Sequence, residues 1–182
     1  MRLPALEHLV RAIRELHPGC EITVVGSSAL LGKFPDLGEE GGPLVTSFDA
    51  DIIPEPFSED IGMMLHESLG EDRRFHLIHG YHADILRPKI GEQFPIGWKE
   101  RRVPLKPFNN IFCLEAHDLA ACKCLVGRPK DLALVEDLVR RNIVQLGEIE
   151  KRLSEIRLPE SKIVSSHQNF IRVRNSINRL TN

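Results

Sequence analysis

Val24-Val25-Gly26-Ser27-Ser28-Ala29-Leu30-Leu31 and, after an intervening loop, Thr46-Ser47-Phe48-Asp49-Ala50-Asp51-Ile52-Ile53-Pro54 decide how this chain is read. The first stretch begins in β-branched residues, turns on Gly26 and Ser27, and continues into Ala and Leu. That is a strand running through a tight turn into a helix. The second, with Leu44 and Val45 before it, reads as a strand over 44–53 that stops at Pro54. Residues i and i+2 of a strand share a face, so Asp49 and Asp51 stand side by side while Ala50 turns to the core. Two such carboxylates repel each other, and a hard cation between them is the economical remedy. Magnesium accepts carboxylates, waters and substrate phosphate oxygens in one shell. Gly26 and Ser27 add backbone N–H groups and a small hydroxyl where a phosphate can come close. Phosphoryl or nucleotidyl transfer is the chemistry these parts suit.

Working outward, Leu3, Leu6, Leu9, Val10 and Ile13 recur at intervals of three and four, which predicts an amphipathic helix ending near His17-Pro18-Gly19. Glu21 to Val25 is the first strand. Ser58-Glu59-Asp60 predicts a helix start, with Ile61 to Leu69 as its body and Gly70 as its stop. Phe75 to Ile78 and Tyr81 to Leu86 read as strands around Gly80, and Val103 to Leu105 and Asn110 to Leu114 as short ones. From Glu115 onward the pattern is helical: His117 to Val126, a break at Gly127-Arg128-Pro129, Lys130 to Arg140, then Glu148 to Ile156. The expected fold is therefore α/β in the broad sense (α+β), a small mixed sheet with flanking helices and a helical C-terminal half. The boundary falls between an α/β core over 1–114 and a helical part over 115–182.

Hydrophobic residues at 42% and charged residues at 27% give the balance of a folded soluble protein. A formal net charge of −2 excludes a global positive field, so any polyanion must be bound locally. No apolar run approaches the roughly 18–20 residues of a membrane span, and Met1 to Leu16 mixes charge with apolar residues, so neither anchor nor signal peptide is expected. Cys20, Cys113, Cys122 and Cys124 are too scattered for a disulfide framework, which points to free thiols in a reducing cytoplasm. Oligomeric state is not legible.

The Val-Val-Gly-Ser-Ser-Ala-Leu-Leu and Thr-Ser-Phe-Asp-Ala-Asp-Ile-Ile-Pro stretches together resemble the Gly-Ser plus Asp-x-Asp signature of the polymerase-β-like nucleotidyltransferase superfamily. Gly97-Trp98-Lys99-Glu100-Arg101-Arg102-Val103-Pro104, Leu114 to Ala120, Lys123, and Val126 to Leu132 are similar to a small bacterial branch of it whose function is unassigned. The resemblance spans roughly Val24 to Val139. It implies a nucleotidyltransferase sheet, an NTP substrate and Mg2+, with Gly26 and Ser27 holding the triphosphate and Asp49 and Asp51 as metal ligands. Asp84 is implied as the third carboxylate, which takes the proton of an acceptor hydroxyl on RNA, protein or a small molecule. Some distant relatives are toxin–antitoxin components that transfer nucleotides to RNA or protein. A Gly-rich insert makes the spacing from Ser27 to Asp49 longer than the common pattern. The alternative is a catalytically degenerate module that binds nucleotide or a partner without turnover.

Several residues keep two readings. Asp84 is either that catalytic acid or a solvent-facing acid near Arg87. Lys123, Arg128 and Lys130, with Asp131, form a basic nucleotide-binding lip or simply cap the helix junction at Gly127 and Pro129. His76, His79 and His82 alternate faces on a strand, which argues against zinc, and Cys122 and Cys124 read as idle thiols. The tail beyond Ser161 is a basic amphipathic helix that contacts RNA or another subunit, or packs on its own domain. If β-strands 21–25 and 46–53 are neighbours, Gly26-Ser27 and the paired aspartates emerge at the same edge, with carboxylate oxygens within about 4–5 Å. Asp84 joins them only if it shares its strand face with His82.

Overall fold

Leu6, Leu9, Val10 and Ile13 lie along one face of helix α1 (Leu3–Leu16) and are fully buried in the computed structural model, which describes residues 1–157 and 159–179. Strand β1 (Glu21–Val24) follows, then a short 3-10 helix over Ser27–Gly32 and another over Pro35–Gly38. Strand β2 (Asp49–Glu55) pairs antiparallel with β1, placing Val24 opposite Ile52 and Ile22 opposite Pro54. Helix α2 (Glu59–Leu69) starts where Ser58 accepts the Ile61 N–H and stops at Gly70, as its signals predict. Helix α3 (Arg74–His79) and strand β3 (His82–Ile85) come next, then helix α4 (Trp98–Arg101), strand β4 (Val103–Pro104) and strand β5 (Ile111–Cys113). The strands form one mixed sheet in the order β3-β2-β1-β5-β4, with β2–β3 and β1–β5 parallel. This is the mixed α/β class the sequence implies.

Three expectations are corrected. Residues 44–46 form turns, not strand, because their backbone groups bond locally, Leu44 N–H to Leu37 and Val45 N–H to Gly42. Strand β2 runs through Pro54, which is tolerated because pairing with β3 ends at Ile52 and leaves no partner on that side to demand an N–H. Phe75 to Ile78 is helix: α3 closes on Gly80 in the left-handed region at φ 77°, with the Gly80 N–H bonded to the His76 carbonyl. Its apolar residues do not face a core, since Leu77 is 75% and Ile78 63% exposed.

The chain divides into two units, Met1–Ile90 with Arg101–Leu114, and Gly91–Glu100 with Glu115–Asn182. Residues 91–100, expected in the first unit, belong to the second. The Ile96 N–H bonds to the Glu155 carbonyl at 3.2 Å, and Trp98 stacks edge-on against Phe94. In the first unit Arg102 reaches Glu21 at 2.6 Å and the wholly buried Thr23 hydroxyl at 2.8 Å while lying over the Phe112 ring.

The second unit contains α5 (Ala116–Val126), α6 (Pro129–Arg140), α7 (Leu146–Ser154) and α8 (Glu160–Asn178). Glu115 caps α5 by accepting from the His117 and Asp118 N–H groups, and Gly127 ends it with φ 72°. Two acids are buried here. Asp118 lies 3.1 Å from Arg152, and Asp131 takes Lys123 at 2.8 Å and Arg128 at 2.6 Å. Helix α8 packs within this unit through Phe170 and Val173, with Asn169 donating to the Cys124 carbonyl.

Candidate metal centre

Asp49-Ala50-Asp51 opens β2 in the pattern half-buried, buried, half-buried, after which Ile52 to Pro54 are buried on both faces. The two carboxylates thus occupy the part of the strand where one face opens to water. β3 runs parallel in register, with His82 opposite Asp49, Ala83 opposite Ala50 and Asp84 opposite Asp51. Since side chains in register share a face, His82 and Asp84 stand on the same side as the two aspartates, and both alanines are wholly buried on the other. One ligand atom from each of Asp49, Asp51 and Asp84 lies within 4.8 Å of the others. Asp84, left open between two readings by the sequence, is part of this group.

The Gly-Ser turn reaches the same place. The Val25 N–H donates to the Asp51 carbonyl at 2.9 Å, and a Cβ built on Gly26 would sit 1.7 Å from Asp51 Oδ2. Only a residue without a side chain lets that carboxylate lie where it does. The turn does not lead into a regular α-helix. The six-residue 3-10 segment is too short to carry an appreciable dipole, so what the turn offers a phosphate is close backbone approach and the half-buried Ser27.

Two further serines in these segments are assigned no role from sequence. Ser47 donates to Asp49 Oδ1 at 3.2 Å. Ser28, 1% exposed, has a hydroxyl with no hydrogen-bond partner among the described residues. Ser47 sits two residues before Asp49, a local spacing at which a hydroxyl can steady a carboxylate. His82 is nine-tenths buried, with Nε2 3.6 Å from Asp84 Oδ1 and its ring 4.7 Å from that of His76.

Three clustered carboxylates provide hard oxygen donors, the set that suits a divalent cation such as Mg2+, Ca2+ or Mn2+ better than a thiophilic metal. The other residues singled out from sequence have different settings. Lys123 and Arg128 both bind the carboxylate of Asp131, and Lys130 is exposed in the first turn of α6. Burial raises the Cys122 thiol above the usual range and brings Cys113 and Cys124 to about 12, so these thiols are inert near neutrality. His76 and His79 belong to α3, where His79 packs against His8 and Tyr81. No helix among the described residues is long and apolar enough to cross a membrane.

No protein-family model, curated protein or solved structure matches the chain.

Proposed function

We propose that this chain is a magnesium-dependent nucleotidyltransferase that moves a nucleoside monophosphate from an NTP to a hydroxyl on RNA, protein or a small molecule. The observation that supports it most is the convergence of Asp49, Asp51 and Asp84 beside Gly26. Asp49 and Asp51, together with one oxygen of Asp84, would hold Mg2+, which when bound supplies neutralisation of the triphosphate charge. Gly26 leaves room for phosphate oxygens against the backbone, with the Ser27 hydroxyl beside it. Asp84, whose side chain is 45% exposed, stays accessible to an acceptor and takes its proton. The acceptor oxygen then bonds to the α-phosphorus as the bond to pyrophosphate breaks. Positioning and charge compensation carry most of such a reaction. The four free cysteines accord with a cytoplasmic setting.

The test is calorimetry with each of ATP, GTP, CTP and UTP plus Mg2+, then pyrophosphate release and transfer of label from the NTP that binds. Wild type should release pyrophosphate, and Asp51→Asn should not. Equal turnover by Asp51→Asn would remove the catalytic assignment. Nucleotide binding without release would make the chain a degenerate binding module, the form a toxin–antitoxin component could take.

A further inference from the structure

Among the described residues, His82 is the histidine that β3 turns onto the face of the acid group. It lies in register with Asp49, two residues from Asp84 on the same strand, and its side chain is only 10% exposed. Its surroundings are unusual for a buried imidazole. The His76 ring packs beside it, Nε2 is aimed at Asp84 Oδ1, and Nδ1 is buried with no hydrogen-bond partner among the described residues. A packing role would be served as well by an apolar residue, without the cost of burying an unmet ring nitrogen. Imidazole earns its place only through Nε2.

Resting on the metal-centre reading above, we infer that His82 is a positioning residue: it donates Nε2–H to Asp84 and fixes which carboxylate oxygen turns to the cation. The tautomer follows from the surroundings. With the proton on Nε2, an N–H faces a carboxylate and Nδ1 keeps only a lone pair. With the proton on Nδ1, a lone pair faces the carboxylate and a buried N–H is left unmet, which is worse at both ends. The 3.6 Å separation exceeds a hydrogen bond, and contacts of this kind shorten when the site is loaded. Partners that orient ligating carboxylates from outside are a recurrent part of metal sites. His82 is not a ligand here: the atoms that lie together belong to the three aspartates.

The experiment is calorimetric titration of the full chain with Mn2+ alone, with circular dichroism and melting temperature recorded for each variant. His82→Leu should weaken Mn2+ binding by about 10- to 100-fold. His82→Gln, whose amide N–H falls close to the position of Nε2, should retain affinity within a few-fold even where the melting temperature drops, which separates hydrogen bonding from packing. In an Asp84→Asn background, His82→Leu should add little, because the partner it orients is already altered. Wild-type affinity in folded His82→Leu, or equal losses in the Leu and Gln variants, overturns the assignment. Failure of wild type to bind Mn2+ overturns the metal centre itself and the role of His82 with it.

Discussion

The helical unit and the sheet unit both draw aspartates in from water, in different arrangements. Asp118 and Asp131 are 0% and 1% exposed, and each faces a cation of its own unit, Arg152 for the first and Lys123 with Arg128 for the second. Asp49, Asp51 and Asp84 are only half-buried and bring carboxylate oxygens toward one another. An acid that closes a helix junction meets its counter-charge from the chain. A group of acids turned together on an open face offers several carboxylate oxygens to one cation from solution, if one binds there.

The comparison breaks most visibly at Asp131. Asp131→Ala strands Lys123, whose side chain is 12% exposed, and should cost about 3–5 kcal/mol in urea unfolding. A loss under 1 kcal/mol would mean the pairing is incidental. Burial opposes the ionised Asp131, but hydrogen bonds from Arg128 and Lys123 outweigh it, and its pKa falls below the ordinary 3.8. A depressed carboxyl contributes stability above its unfolded value, so this contribution should be complete above pH 3.8 and disappear as pH falls through the lower folded value.

In the sheet unit Gly26→Ala should displace the Asp51 carboxylate, since the new methyl would meet Oδ2 at 1.7 Å. The expected outcome is a stability loss of about 1–3 kcal/mol together with at least tenfold weaker Mn2+ binding by calorimetry. Unchanged binding would separate the turn from the metal centre.

A smaller effect belongs to Glu115 and His117. The hydrogen bond that His117 donates to Glu115 raises the histidine above its usual 6.5; burial opposes the ionised Glu115, but that bond and two backbone N–H groups outweigh it and hold the carboxyl below 4.5. Glu115 contributes above pH 4.5 and His117 below pH 6.5, so the pair should stabilise most between those values and less as pH rises through the folded histidine pKa. His117→Gln should flatten the pH 6–8 part of the melting profile by at most about 1 kcal/mol. The smallest effect is expected at Asp84: Asp84→Asn should move metal-free stability by no more than about 0.5 kcal/mol yet reduce, without abolishing, the rise in melting temperature given by Mn2+.

The acid group was legible because its pieces are local and periodic. Asp49-Ala50-Asp51 and His82-Ala83-Asp84 carry the same alternation, so a single choice of register aligns them. Helix ends were readable for a similar reason, since Ser58, Gly70 and Gly127 each act through backbone groups three or four residues away. The helix at Phe75 to Ile78 was not legible, because apolar residues there lie on the surface and hydrophobicity gives a false strand. Residues 91–100 group with the helices through long-range contacts such as the bond from the Ile96 N–H to the Glu155 carbonyl, across a separation no local pattern registers. Lys123 and Arg128 suggested phosphate contact because a sequence gives their charge but not the carboxylate each one meets.

The central claim, that Asp49, Asp51 and Asp84 form a divalent-cation site, is tested most directly by anomalous diffraction from Mn2+-soaked crystals of wild type and Asp51→Asn. The expected result is one anomalous peak among the three carboxylates, with metal–oxygen distances on the order of 2.1 Å, that is lost in the variant. A wild-type map without that peak, or one in which it persists unchanged in Asp51→Asn, would contradict the account.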